Sequence, residues 1–188
     1  MRLRVSRAVT VVSAVMMIVG LSLLSAAWWL RPIEVAQAAL TRGDLERAAQ
    51  QYGVSRQRFG RTIFATSLFP DLADLVTANE LSLQYSLRRY DRILEVTAGS
   101  DTAPGPTSFW AGCALFDRSL VQPDADAKLG MMSEAHQAFR RALEAAPSDW
   151  DARFNYEMTG RLLSILREQP QASTEEMIRL LRERGPQP

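Results

Sequence analysis

The stretch Gly130-Met-Met-Ser-Glu-Ala-His-Gln-Ala-Phe-Arg-Arg-Ala-Leu-Glu-Ala-Ala-Pro147, continued by Ser148-Asp-Trp-Asp-Ala-Arg-Phe-Asn-Tyr156, decides the fold class. Met132, Ala135, Phe139 and Ala142 recur at steps of three and four residues, the period that lines up one face of an α-helix. Pro147 cannot continue that helix, and a second apolar-periodic run extends from Asp149 to Leu166. So short a break makes the two helices antiparallel neighbours.

The same period governs the rest of the chain, and strand-like alternation is missing. The expected fold class is therefore all-α. Helices are predicted over Pro32–Thr41, from Leu45 to Tyr52, over Phe59–Leu68, and as a pair over Asp71–Leu87 and Arg88–Thr97. Further helices are expected over Thr107–Leu120 and Lys128–Ala145. Arg42-Gly43-Asp44, the segment 98–106 and Gln122–Asp126 carry the residues that interrupt helices. Ser173-Thr-Glu-Glu176 is a capping-box pattern opening a last helix to Arg184, with 185–188 beyond it.

The Gly130–Pro147 spacing resembles the second helix of a tetratricopeptide (TPR) repeat, and Asp149–Tyr156 resembles the first helix of the next. In that family a small residue marks the interhelical turn, alanines allow close approach, an aromatic fills the hairpin and proline ends the unit. Gly43, Ala48 and Tyr52 form a weaker copy upstream, and Arg89-Tyr90-x-x-Ile93 a looser one. The loop around Gln122–Asp126 departs from the family's regular period. An ordinary helix bundle is the competing account of the same spacing.

The layout of a short basic N-terminus, an apolar segment and helical hairpins, with the motif at 139–157, is similar to the MxaK family. These are accessory proteins of bacterial methanol-dehydrogenase gene clusters. The resemblance implies a periplasmic factor in maturation of the dehydrogenase.

Ala8–Leu30 holds 23 residues without a charge and follows Arg2, Arg4 and Arg7. As a helix it would reach about 34 Å, enough to cross a hydrocarbon core of about 30 Å. The expected topology is residues 1–7 cytoplasmic, 8–30 in the inner membrane, an exported domain over 31–166 and a C-terminal helix and tail over 167–188. Trp28 and Trp29 fall where amphipathic rings settle at an interface. Ser25-Ala26-Ala27 supplies the small residues a signal peptidase accepts, and cleavage there is the alternative, although the apolar run is longer than a usual signal-peptide core. Both readings export the remainder.

Three of the 22 basic residues precede the apolar run, so the remainder carries 19 basic against 21 acidic side chains. That balance argues against nucleic acid, which needs a concentrated positive face. Cys113 is the sole cysteine and His136 the sole histidine, so no internal disulfide forms and neither a zinc set nor a histidine-based triad is easily assembled. Asp117, Asp124 and Asp126 do not follow a calcium-loop spacing. Cys113 reads as a small buried hydrophobe, His136 as a surface residue, and Arg88-Arg89 and Arg140-Arg141 as helix-surface charges beside acids.

No catalytic residue, metal ligand, cofactor or small-molecule substrate is expected. The expected function is binding other proteins of an inner-membrane or periplasmic complex, through a groove formed by Asn79, Asn155, Met158 and Arg161 with Trp150 at its edge. A structural role in an envelope or secretion complex is the alternative, with Gly20, Ser22, Ser25 and Ala26 pairing anchors in the membrane.

Overall fold

The computed structural model describes residues 2–61, 69–98 and 105–184, without the side chains of 2–12, 22, 23, 25, 26 and 184. Among the described residues there are eight helices and no strand: α1 (Arg2–Leu40), α2 (Leu45–Arg61), α3 (Pro70–Ser86), α4 (Tyr90–Thr97), α5 (Gly105–Val121), α6 (Ala125–Ala145), α7 (Trp150–Glu168) and α8 (Thr174–Arg184). The all-α expectation holds. The chain divides into two compact units, 1–70 and 71–188, where the sequence suggested one exported domain over 31–166.

In the first unit the expected apolar segment and the expected Pro32–Thr41 helix are one helix, α1, with Pro32 inside it. Its end is built as the sequence implies. Gly43 adopts φ +75°, its N–H donates to the Leu40 carbonyl and that of Asp44 to the Ala39 carbonyl. Glycine takes this left-handed position without a Cβ penalty, so the last carbonyls of α1 are satisfied as the chain turns. Asp44 then caps α2, accepting from the Arg47 N–H at 3.0 Å. Ala36, Ala39, Ala48, Ala49, Tyr52 and Phe59 are buried in this unit. Phe59 belongs to α2, which runs unbroken to Arg61; 62–68 of the expected third element lie outside the described residues.

Among the described residues no helix is long and apolar enough to cross a membrane. The expected span Ala8–Leu30 includes side chains outside that description, those of 8–12, 22, 23, 25 and 26.

The second unit is a run of antiparallel hairpins. The α3–α4 turn repeats the α1–α2 turn, with Arg88 at φ 55° in the place of Gly43 and the N–H groups of Arg88 and Arg89 donating to the Tyr85 and Gln84 carbonyls. The register continues into the helices. Ala48, Ile93 and Ala135 each lie five residues beyond Gly43, Arg88 and Gly130, and all three are completely buried. Four residues further, Tyr52 and Phe139 are buried while Thr97 is half-buried.

The third copy departs at its turn. Gly130 lies inside α6, with open space where a Cβ would stand. By the register of α2 and α4 this helix would begin at Met132, yet it begins at Ala125, two turns earlier. Asp124 initiates it by accepting from the Ala127 N–H at 2.7 Å, within the stretch expected as a loop. Similarly, α5 begins at Gly105, inside the expected 98–106 loop, with Pro106 in the first turn where a missing N–H costs nothing; 99–104 lie outside the described residues.

The core of this unit is laid between α5, α6 and α7. Phe139 on α6 is fully buried, and its ring closes over Gly112 on α5, where an added Cβ would stand 2.8 Å from ring carbons. Met132, Leu162, Leu163, Ile165, Leu166 and Met177 form an adjoining apolar cluster. The C-terminal helix is therefore part of the packed unit. Ser173 caps α8 by accepting from the Glu176 N–H at 3.2 Å, as its sequence pattern implies, and the Thr174 hydroxyl donates to the Leu120 carbonyl at the end of α5.

Candidate functional site

The arrangement of α7 follows from its two faces. Ala152, Thr159, Leu162, Leu163 and Leu166 are buried. The opposite face carries Trp150, Phe154, Glu157 and Arg161 at spacings of four, three and four residues, all exposed. Trp150 is 71% and Phe154 53% exposed, an aromatic pair one helical turn apart. The N-cap at Asp149 accepts from the Ala152 N–H, and Arg153 donates to the Pro147 carbonyl, so the start of the helix is capped and tied to the preceding turn.

Of the residues singled out from sequence, Trp150 and Arg161 share this stripe. Asn155 stands beside it and donates its side-chain amide to the Asp151 carbonyl of its own helix. Met158 is half-buried against the Met132–Met177 cluster. Asn79 is half-buried on α3. Phe154 and Glu157 complete the stripe and were not singled out. The buried face of α7 lies on the other side of the helix from Phe154.

His136, expected at the surface, is half-buried and engaged by the neighbouring helix. Its ring stacks on Tyr156 at 4.3 Å, and its Nδ1–H donates to the Tyr156 carbonyl at 3.1 Å, with the Thr159 hydroxyl at 3.0 Å. Gly160 makes room for the ring, since a Cβ there would meet it at 3.2 Å. Burial lowers the imidazole pKa, and Arg140 and Arg167 push the same way against the Tyr156 carbonyl. The residue clamps α6 to α7.

A second polar cluster ties α3 and α4 to α5. The Tyr85 and Tyr90 hydroxyls both donate to the same oxygen of Asp117, each at 2.8 Å, while Arg118 pairs with Asp91. Tyr85, Trp110, Phe109 and Phe139 continue as a chain of ring contacts between 5.3 and 5.9 Å. Cys113 lies one turn before Asp117; burial, reinforced by that carboxylate, pushes its thiol up to about 12. Such a thiol is almost wholly protonated at neutral pH and is a poor nucleophile.

Asp124 is used as a helix cap and Asp117 as a tyrosine acceptor. Among the described residues no group of three or more His, Cys, Asp or Glu side chains is placed to hold a metal ion. A shallow cavity of about 270 Å³ lies along α4, α5 and α6, with Leu94, Ala111 and Leu115 in its walls and Glu134 and Arg141 at α6.

No family model matches the chain, and no curated protein or solved structure is found to be similar to it.

Proposed function

We propose that this chain is a membrane-anchored, exported scaffold that binds another protein through the outer face of α7. The carrying observation is the exposed Trp150–Phe154 pair on a helix whose opposite face is locked into the core. Large aromatics held on a rigid helix are the residues from which interface hot spots are built. Glu157 and Arg161 extend the stripe with both charges, which suits orientation of a partner.

The anchor reading is supported by Ala8–Leu30, an uncharged run lying wholly within α1. Large apolar side chains from Val15 to Leu24 that the structure describes stand exposed, an arrangement that water disfavours and lipid accepts. A C-terminal periplasmic reporter should then be active and a cytoplasmic one silent.

The resemblance to the MxaK family gives the scaffold a specific setting, maturation of a periplasmic methanol dehydrogenase. Cells lacking the protein should make the dehydrogenase but assemble it inactive. Trp150→Ala with Phe154→Ala should reproduce that defect, weakening partner binding at least tenfold while helical circular dichroism and melting stay near wild type. Fully active dehydrogenase in the deletion strain would leave only the general scaffold role, and undiminished cross-linking by the double variant would remove α7 as the docking face.

A further inference from the structure

The turn at Thr41–Asp44 reverses the chain, so the last turns of α2 return beside Trp28 and Trp29 of α1. Phe59 packs on Trp29 with ring centroids 5.3 Å apart, and the Arg58 guanidinium lies 4.0 Å over the Trp28 ring. A cavity of about 300 Å³ opens at this level, lined by Trp28, Arg31, Pro32, Val35, Gln51 and Arg58. Its walls are largely apolar and its ionised groups are two guanidinium ions. One N–H of Arg58 donates to the Trp28 carbonyl, which leaves four further donors on that fork. Arg31 is exposed at the rim. The whole hairpin is cationic, since residues 31–61 hold six arginines against Glu34, Asp44 and Glu46.

We propose that this cavity holds the phosphodiester headgroup of an anionic membrane phospholipid, gripped by Arg31 and Arg58. Trp28, Pro32 and Val35 line the glycerol and first acyl carbons. The proposal rests on reading Ala8–Leu30 as a membrane span, which puts Trp28 at headgroup depth. Guanidinium groups match phosphate oxygens through paired donors, and apolar walls beside them suit an amphiphile better than a free anion. The fold brings the arginines there, because α2 carries Arg58 back across about 20 Å of helix to the end of the apolar run.

The test uses the full chain in nanodiscs of phosphatidylcholine alone or mixed with phosphatidylglycerol, with retained lipid counted by native mass spectrometry. Phosphatidylglycerol should be retained in preference. Each arginine near a membrane surface favours anionic lipid enough that Arg31→Gln should cut the preference roughly fivefold and the Arg31→Gln/Arg58→Gln pair roughly thirtyfold. Arg31→Lys should restore part of it, and Arg42→Gln, at the far end of the hairpin, should leave it unchanged. Arg31→Gln is the deciding single variant because Arg58 also supports the hairpin. Equal retention of both lipids by an inserted chain overturns the proposal, as does an Arg42→Gln effect equal to that of Arg31→Gln. Displacement of the lipid by millimolar inorganic phosphate would make this a soluble-anion site instead. Failure to co-elute with any nanodisc would instead remove the membrane span, and the lipid site with it.

Discussion

Arg58 Nη1 donates to the Trp28 carbonyl at 2.6 Å, and that carbonyl is the one Pro32 cannot serve. In an unbroken helix the N–H of residue 32 would bond the carbonyl of residue 28, and proline has none. A side chain from the neighbouring helix takes its place, so a helix defect becomes a tie between α1 and α2. Because the bond is exposed, its contribution falls below the usual range for a charged donor, at about 1 kcal/mol.

Pro32→Ala would restore the helical donor and make the Arg58 bond redundant. Arg58→Ala should therefore loosen α2 in the wild-type background but much less in Pro32→Ala. Hydrogen exchange over 45–61 reads the coupling. Equal effects in both backgrounds would show that Arg58 acts by its stacking on Trp28 alone.

Gly112 and Phe139 should behave as a unit. Gly112→Ala gains about 1 kcal/mol of helix propensity but drives a Cβ to 2.8 Å from a fully buried ring. Overpacking costs about 1–3 kcal/mol, so the expected result is net destabilisation. Phe139→Ala should cost about 3–5 kcal/mol through its cavity, and Ala135→Leu about 1–3 kcal/mol. In Phe139→Leu the Gly112→Ala penalty should shrink, which denaturant unfolding of the single and double variants measures.

Arg88→Gly should stabilise the second unit by about 0.5–1 kcal/mol. The left-handed conformation at φ 55° costs an L-residue about 1–2 kcal/mol, and the extra freedom glycine gives the unfolded chain offsets part of the gain. Gly43→Ala should lose a similar amount at the equivalent turn, since its φ is +75°. A melting temperature unmoved or lowered by Arg88→Gly would mean that the Arg88 side chain makes a compensating contact.

His136 should make the fold acid-sensitive. Its pKa is lowered in the folded state, so above the ordinary value near 6.5 both states are neutral and stability is unaffected. As pH falls through that value the unfolded chain takes the proton first, and stability is lost until the folded imidazole also titrates. Asp74, raised by burial and by Asp71, works in the opposite direction at lower pH. The His136→Gln variant should therefore lose less stability than wild type between pH 7 and 5. Parallel pH profiles for the two proteins would exclude the imidazole as the cause.

Much of the helical scaffold is legible in the sequence because its signals are local. Gly43 at a helix end, Asp149 and Ser173 ahead of apolar runs, and the buried register of Ala48 and Ala135 all follow from backbone preference and period. The candidate interaction stripe was only half legible. Trp150 and Arg161 stand on it, but Phe154 carries the same aromatic signal as the buried Phe139. Periodicity gives the faces of α7 without saying which one its neighbours cover. Composition and order along the chain by themselves determined an all-helical protein with an uncharged N-terminal segment and repeated hairpins. Only tertiary structure decided that Arg88 occupies a glycine position, that Gly112 admits the Phe139 ring, that His136 joins two helices and that Arg58 completes α1 at Trp28. Each of these depends on an atom brought close by folding from another turn or helix, and spacing along one helix carries no information about what will be packed against it.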